Sequence, residues 1–207
     1  MMRIAFVLLA IFAWTNAQAP SPCVAPTQFA ARISQYNHGT DTINRFIIQY
    51  DAINERWVLF EEMDAFSPGR RFYEYLILTR ENVEYKFDQR SHECTKAPAR
   101  PWRAFGIPPN GTFENEFTLG GPGEMFVAQQ WSDRVPLRTN AQILVDVTLI
   151  NCFPLKEVLI SNNNVTQTTT TDFYDVLEGN PNPNDFVPPK ECLTAKQVQD
   201  KPFTHWP

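Results

Sequence analysis

Histidine is scarce in this chain of 207 residues: His38, His92 and His205 are all there is. No G-x-S-x-G, no H-E-x-x-H and no phosphate-cradling glycine loop occurs. Ser132 and Asp133 adjoin, but a nucleophilic serine needs a histidine placed beside it. Positive charge is also short. With 18 Lys and Arg against 23 Asp and Glu, the net charge of -5 excludes a polybasic nucleic-acid binder. Glycine numbers only 8, while 17 prolines argue against long helices. What is plentiful is phenylalanine, at 16 residues, in a chain 43% hydrophobic. That suits a globular domain with an aromatic core rather than a disordered chain.

Long apolar runs are confined to the start. Met1-Met2-Arg3 is positive, Ile4 to Trp14 is unbroken apolar, and Ala17-Gln18-Ala19 offers small residues for cleavage. A membrane span needs about 20 apolar residues, so residues 1–19 read as a signal peptide. The next best run, 141–150, is interrupted by Gln142, Asp146 and Thr148, so no transmembrane segment is expected. The remainder is expected to be secreted, with a net charge of -6 once Arg3 is gone.

Four cysteines, Cys23, Cys94, Cys152 and Cys192, are an even set for an oxidising compartment. Two disulfides are expected, and arithmetic leaves three pairings open. Wide spacing and the absence of C-x-x-C argue against zinc, and His92 beside Cys94 reads as a surface residue. Two sequons, at Asn110 and Asn164, predict surface glycosylation.

The hydrophobic pattern is period two. Phe46, Ile48 and Tyr50 alternate with Arg45, Ile47 and Gln49. Val83, Tyr85 and Phe87 do the same, as do Phe113, Asn115, Phe117 and Leu119, and again Ile143, Val145, Val147 and Leu149. Strands are also expected over 57–62, 73–80, 125–131, 158–161 and 165–176. The pattern predicts about ten antiparallel strands in a sandwich, barrel or open half-barrel, with one helical stretch near 193–200. Phe72 to Leu78 is apolar on both faces, which calls for a covering layer or an apolar cavity.

Charged pairs give no catalytic lead. Glu61-Glu62 and Glu114/Glu116 read as solvated strand faces. Asn180, Asn182, Asn184 and Glu191 occupy ligand positions of an EF-hand-like window. Asp185 stands where glycine is required, and four prolines stiffen the window, so it is a poor calcium loop.

An ordered series of segments carries a resemblance. Phe72-Tyr73-Glu74-Tyr75-Leu76-Ile77-Leu78 leads to Val83-Glu84-Tyr85-Lys86-Phe87-Asp88 and Cys94-Thr95-Lys96. Ile107-Pro108-Pro109-Asn110-Gly111-Thr112-Phe113-Glu114, Gly120-Gly121-Pro122 and Gln130-Trp131-Ser132-Asp133-Arg134 come next. Asn151-Cys152-Phe153-Pro154 and Phe186-Val187-Pro188-Pro189-Lys190-Glu191-Cys192 close the series. The succession from Cys23 to Cys192 resembles the ependymin-related proteins, near their mammalian-type branch.

The resemblance implies an all-β fold: two antiparallel sheets in a curved half-barrel with an apolar pocket, like bacterial lipoprotein carriers. It divides the chain into the leader, one ependymin-like β domain over 20–192 and a tail over 193–207. It pairs Cys23 with Cys152 and Cys94 with Cys192. The third bridge of the mammalian-type pattern is missing, since Gly69 replaces one cysteine and the tail has none. Members are secreted or lysosomal glycoproteins, often dimeric, so a homodimer and a lysosomal location enter as expectations.

The function implied is non-catalytic binding of hydrophobic ligands, among them anionic lipids or glycolipids. Burial of an acyl chain gains about 0.8 kcal/mol per methylene with no catalytic group. Phe46, Ile48, Tyr75, Ile77, Phe117, Val127, Val145 and Val147 are the expected lining, although a one-residue slip inverts a strand's faces. The alternative is a calcium-binding extracellular matrix or adhesion glycoprotein, as in calcified tissue. No resident cofactor is expected apart from calcium under that alternative, whose ligands the sequence does not identify. The chain is read as not an enzyme.

Overall fold

A computed structural model describes residues 20–133, 141–161, 168–179 and 181–199. The leader, Asn164 with its sequon, Asn180 and residues 200–207 lie outside the described residues.

The strands are β1 (Gln28–Asn37), β2 (Thr42–Asp51), β3 (Arg56–Met63), β4 (Arg71–Leu78), β5 (Val83–Asp88) and β6 (Glu93–Ala97). They continue with β7 (Thr112–Gly121), β8 (Glu124–Asp133), β9 (Ala141–Thr148), β10 (Pro154–Ser161), β11 (Thr169–Glu178) and β12 (Lys196–Gln197). All join one open, curved sheet in the order β12-β6-β5-β4-β3-β2-β1-β11-β10-β9-β8-β7. The expected curved all-β fold is present, with its two antiparallel sheets joined into one. The reason is β1, which pairs antiparallel with β2 along one edge and with β11 along the other. β12 alone runs parallel to its neighbour, β6.

The register sets two faces. Ile33 lies opposite Phe46 and Phe173; Ile48 lies opposite Leu59, and Leu59 opposite Tyr75. Tyr50, Trp57 and Ile77 form the next row. These side chains make the inner face and are all buried. The adjoining half of that face holds a second cluster, Ile107, Trp131, Ile143, Val145, Val147 and Cys152.

The Pro-rich segment 98–111 crosses the inner face without strand structure beyond one isolated bridge. Trp102 stacks on Tyr50 with ring centroids 5.4 Å apart, and Phe105 meets Phe29, Tyr50, Trp57 and Phe173 edge-on. The Phe105 amide donates to the Tyr50 hydroxyl at 3.2 Å. Backbone bonds from Ala25 to Phe105 and from Ile107 to Cys23 tie the crossing to the N-terminal segment. A Cβ at Gly106 would lie 2.7 Å from Val24 Cα at φ +139°, so only glycine allows this approach.

Asp51, fully buried where β2 turns into β3, accepts hydrogen bonds from Gln28, Asn54 and Arg56. Burial alone would raise its pKa, but those donors outweigh it and hold the carboxyl below the usual range. On the outer face, a short 3-10 turn (Pro183–Phe186) places Phe186 over Val58 and Leu76. The Arg56 guanidinium sits 4.2 Å from the Phe186 ring centroid.

Cys23 is bonded to Cys152 and Cys94 to Cys192. The second bridge corrects the expected helix near 193–200. Residues Lys190–Thr194 form a 3-10 turn, and Lys196–Gln197 extend along β6. Cys94 is on β6, so its bond to Cys192 delivers the following residues to that strand's edge. Replacing both Cys94 and Cys192 by alanine should cost about 3–4 kcal/mol of unfolding free energy, since the closed loop is long. Urea unfolding of the two proteins measures it; an unchanged midpoint and slope would refute the claim.

Candidate functional site

The eight side chains expected to line a pocket fall into three places. Phe46, Ile48, Tyr75, Ile77, Val145 and Val147 are on the inner face, none more than 8% exposed. Those on β2 and β4 belong to the cluster that also takes in Trp102 and Phe105. Phe117 pairs with Ala128, whereas Val127 pairs with Thr118, so these two point to opposite faces. A register shift between Phe113 and Asn115 interrupts the alternation that linked Phe113 to Phe117. Val127 shares the inner face with Trp131 but is 36% exposed at the strand end.

Polar groups interrupt the apolar inner face. Glu61 is buried, and its Oε1 accepts from the Asn44 amide at 3.0 Å. Asn44 in turn accepts from the Asp64 backbone amide at 3.0 Å. The Lys86 ammonium lies 4.1 Å from the Tyr73 ring centroid and 5.5 Å from that of Tyr75. Burial raises the Glu61 pKa, against the opposing pull of the Tyr75 hydroxyl, Lys86 and Arg71. Burial likewise raises Tyr75, with the Glu61 charge adding to it, and lowers Lys86. Among the described residues neither histidine serves this carboxyl: His38 bonds the Thr170 hydroxyl and His92 packs on Phe87. The cluster is thus a desolvated acid held beside a tyrosine hydroxyl and an ammonium group.

A cavity of about 410 Å³ opens on the outer face, and Ile33, Glu61 and the expected lining residue Phe46 also border it. Two neighbouring rows of the sheet build it. One runs Tyr174, Arg32, Ile47, Phe60; the other Ser34, Arg45, Glu62, Phe72. Gln89 closes one side. Ile47 is 49% exposed, Phe72 42% and Tyr174 51%. The Phe186 turn covers the neighbouring Val58 and Leu76 and packs partly against Phe60, but Ile47, Phe72 and Tyr174 still face water. The two-faced apolar character of Phe72 to Leu78 therefore has two causes, a covering layer over Leu76 and a cavity at Phe72.

The rim of this groove is charged. Arg45 lies 3.7 Å from Glu62, and Arg70 reaches the same carboxylate at 2.8 Å. Arg32 pairs with Asp175 at 3.3 Å, with both side chains mostly exposed. Arg45 also sits 5.3 Å from the Phe66 ring centroid. Exposed pairs of this kind hold weakly, by about 0–1 kcal/mol. The arrangement can take an apolar body against Ile47, Phe60 and Phe72 with an acceptor group turned to either arginine.

Other sequence-derived positions stand apart from both regions. Asn110 is exposed in a turn, where a glycan has room. In the calcium window, Asn182 accepts from the Asn184 amide and donates to Asp185, so its side chain is spent on capping a turn. Among the described residues no three His, Cys, Asp or Glu side chains gather to hold a metal ion. None of their helices is long and apolar enough to cross a membrane. Gly69 has φ +80° and open space around it.

The Ependymin family model matches residues 67–192. This chain belongs to the ependymin family. It is 35% identical to mammalian ependymin-related protein 1 of Rattus norvegicus over 183 residues, covering 88% of this chain and 81% of the rat protein. Identity to the Mus musculus protein of the same name is 35% over 178 residues, covering 86% and 79%. In fold, an uncharacterized conserved protein from Thermus thermophilus superposes with a TM-score of 0.53 at 13% identity, over 93% of this chain and 98% of that one. That likeness extends to the fold alone.

The groove gives little signal in sequence because its residues are the outward half of each alternation. Ile47, Phe60 and Phe72 sit where a sheet with one wet face would carry polar groups, and only Phe72 stands out as excess. Glu61 yields a pH prediction. Its folded pKa is raised, so the stabilising contribution of its protonated form is complete below the unfolded value of about 4.5 and is lost as pH rises through the folded value. Glu61→Gln should therefore flatten the fall in melting temperature as pH increases above about 4.5. An unaltered pH–melting profile would remove the desolvation argument.

Proposed function

We propose that this ependymin-family protein is a secreted binding protein that takes up hydrophobic ligands without chemical change. The observation that carries the reading is the outer-face groove of about 410 Å³, with Ile47, Phe60 and Phe72 as its apolar wall. Its size falls within the range of small-molecule sites, and its water-facing apolar side chains gain by being covered. Two long-range disulfides support an oxidising destination. The rim arginines favour a ligand with an anionic or strongly accepting head, such as an acidic lipid. The inner-face residues of β2 and β4 serve this function indirectly: packed with Trp102 and Phe105, they back the strands that build the groove.

Titration with a fluorescent fatty acid tests the reading. The mature protein should bind it and give a saturable signal. Ile47→Glu should weaken binding at least tenfold by placing a charge in the apolar wall, with little change in melting temperature at a half-exposed site. Absence of uptake by the native protein, together with no lipid in native mass spectra, would eliminate the proposal. Equal affinity in the Ile47→Glu protein would move the site elsewhere.

A further inference from the structure

The end of the β7–β8 hairpin is apolar on both of its faces. Leu119 and Phe126 lie opposite one another on one face, 39% and 46% exposed. Met125 and Val127 are on the other, 58% and 36% exposed. The neighbouring β9–β10 turn adds Leu149 and Ile150, at 45% and 72%, and the Leu149 amide donates to the Val127 carbonyl at 3.1 Å. Across 117–127 the only charged residue is Glu124, and across 147–153 there is none.

This shape is held open. Gly120 has φ +94°, and a Cβ there would strike the Glu124 carbonyl at 1.9 Å, so the turn is fixed by glycine. Thr148 braces the adjacent turn by bonding the Ile150 carbonyl and the Phe153 amide through its hydroxyl. Cys152 anchors the same turn to Cys23. The exposed side chains cannot fold back onto a core to escape water.

We infer that the β7–β8 tip, with Leu149 and Ile150, is a wedge that inserts into the surface of a lipid bilayer. A protein groove covers one face of a hairpin, whereas burying both faces requires an apolar medium that surrounds it. At roughly 150–200 Å² for a large side chain, the six expose about 500 Å². That area is divided between two opposite faces, so it offers no single flat patch for a second copy to cover. Three residue steps from the turn reach Val127, about 10 Å at strand spacing, which matches the depth of the headgroup and acyl boundary. With one acidic residue and no basic one, the tip fits a zwitterionic surface rather than an anionic one.

The test is flotation of the mature protein with phosphatidylcholine vesicles at low and high salt. The wild type should float, equally at both salt concentrations. The double variant Met125→Ser, Phe126→Ser should lose at least tenfold in vesicle partitioning while keeping its melting temperature, because both side chains are exposed. A second variant, Phe126→Trp, should shift its emission to the blue on adding vesicles. No flotation, or flotation unaffected by the double variant, would overturn the inference. So would sedimentation showing that the double variant splits a dimer, which would assign the tip to a second copy. Fatty-acid binding in the outer groove is read out independently, so failure of either idea leaves the other standing.

Discussion

Strand β1 is the element on which the rest of the molecule depends. Its backbone is bonded along both edges, to β2 by a short hairpin and to β11 from the far end of the chain. Gln35 and Thr171, 136 residues apart in sequence, are hydrogen-bonded across that junction at 3.2 Å. Without this pairing the N-terminal meander β2–β6 and the C-terminal meander β7–β11 would be separate sheets, each with an exposed edge. The Cys23–Cys152 bridge spans the same two halves just before β1 begins. Such non-local closure is slow to find, and a bridge that shortens the search adds stability by restricting the unfolded chain.

The crossing of 98–111 depends on that junction. The ring of Phe105 touches Phe29 of β1, Tyr50 of β2, Trp57 of β3 and Phe173 of β11. Those four strands are adjacent only because β1 lies between β2 and β11. The aromatic cluster thus reports the topology: one side chain packs against both halves of the chain. It also explains why the inner face is largely core, with exposed apolar surface left outside it. Ring centroids 5.0 to 6.0 Å apart leave little room for a guest above β1–β3.

Strands with strong alternation were legible, as Phe46-Ile48-Tyr50 and Ile143-Val145-Val147 illustrate. β1 was not. Its inward positions are Phe29, Ala31 and Ile33, and its outward ones include Arg32 and Ser34, so small and polar residues dilute the period. Without β1, nothing in the pattern joins the two meanders into one sheet. β6 is short and polar, Glu93-Cys94-Thr95-Lys96-Ala97, and is a strand through its pairing with β5 rather than through propensity. The helix expected near 193–200 failed because a covalent bond to β6 outweighed local preference. For the candidate site, sequence singled out apolar positions but not their faces, since the shift in β7 that separates Phe117 from Val127 leaves no compositional mark.

The groove and the tip show two ways in which apolar surface stays exposed on a stable fold. At the groove, Ile47 and Phe72 are locked by the ladders of β2, β3 and β4, so the wall is as rigid as the sheet. Its rim is different. The loop carrying Phe66 and Gly69 is held by Arg70, which donates to the Ala65 carbonyl at 3.2 Å and pairs with Glu62, and by Arg45 over Phe66. Where the mammalian-type pattern places a cysteine, Gly69 stands in open space. Salt weakens the charged contacts that remain, whereas a covalent bridge would be indifferent to it. Rigid wall and weakly held rim together define a surface whose floor is set by the fold and whose border answers to ionic strength.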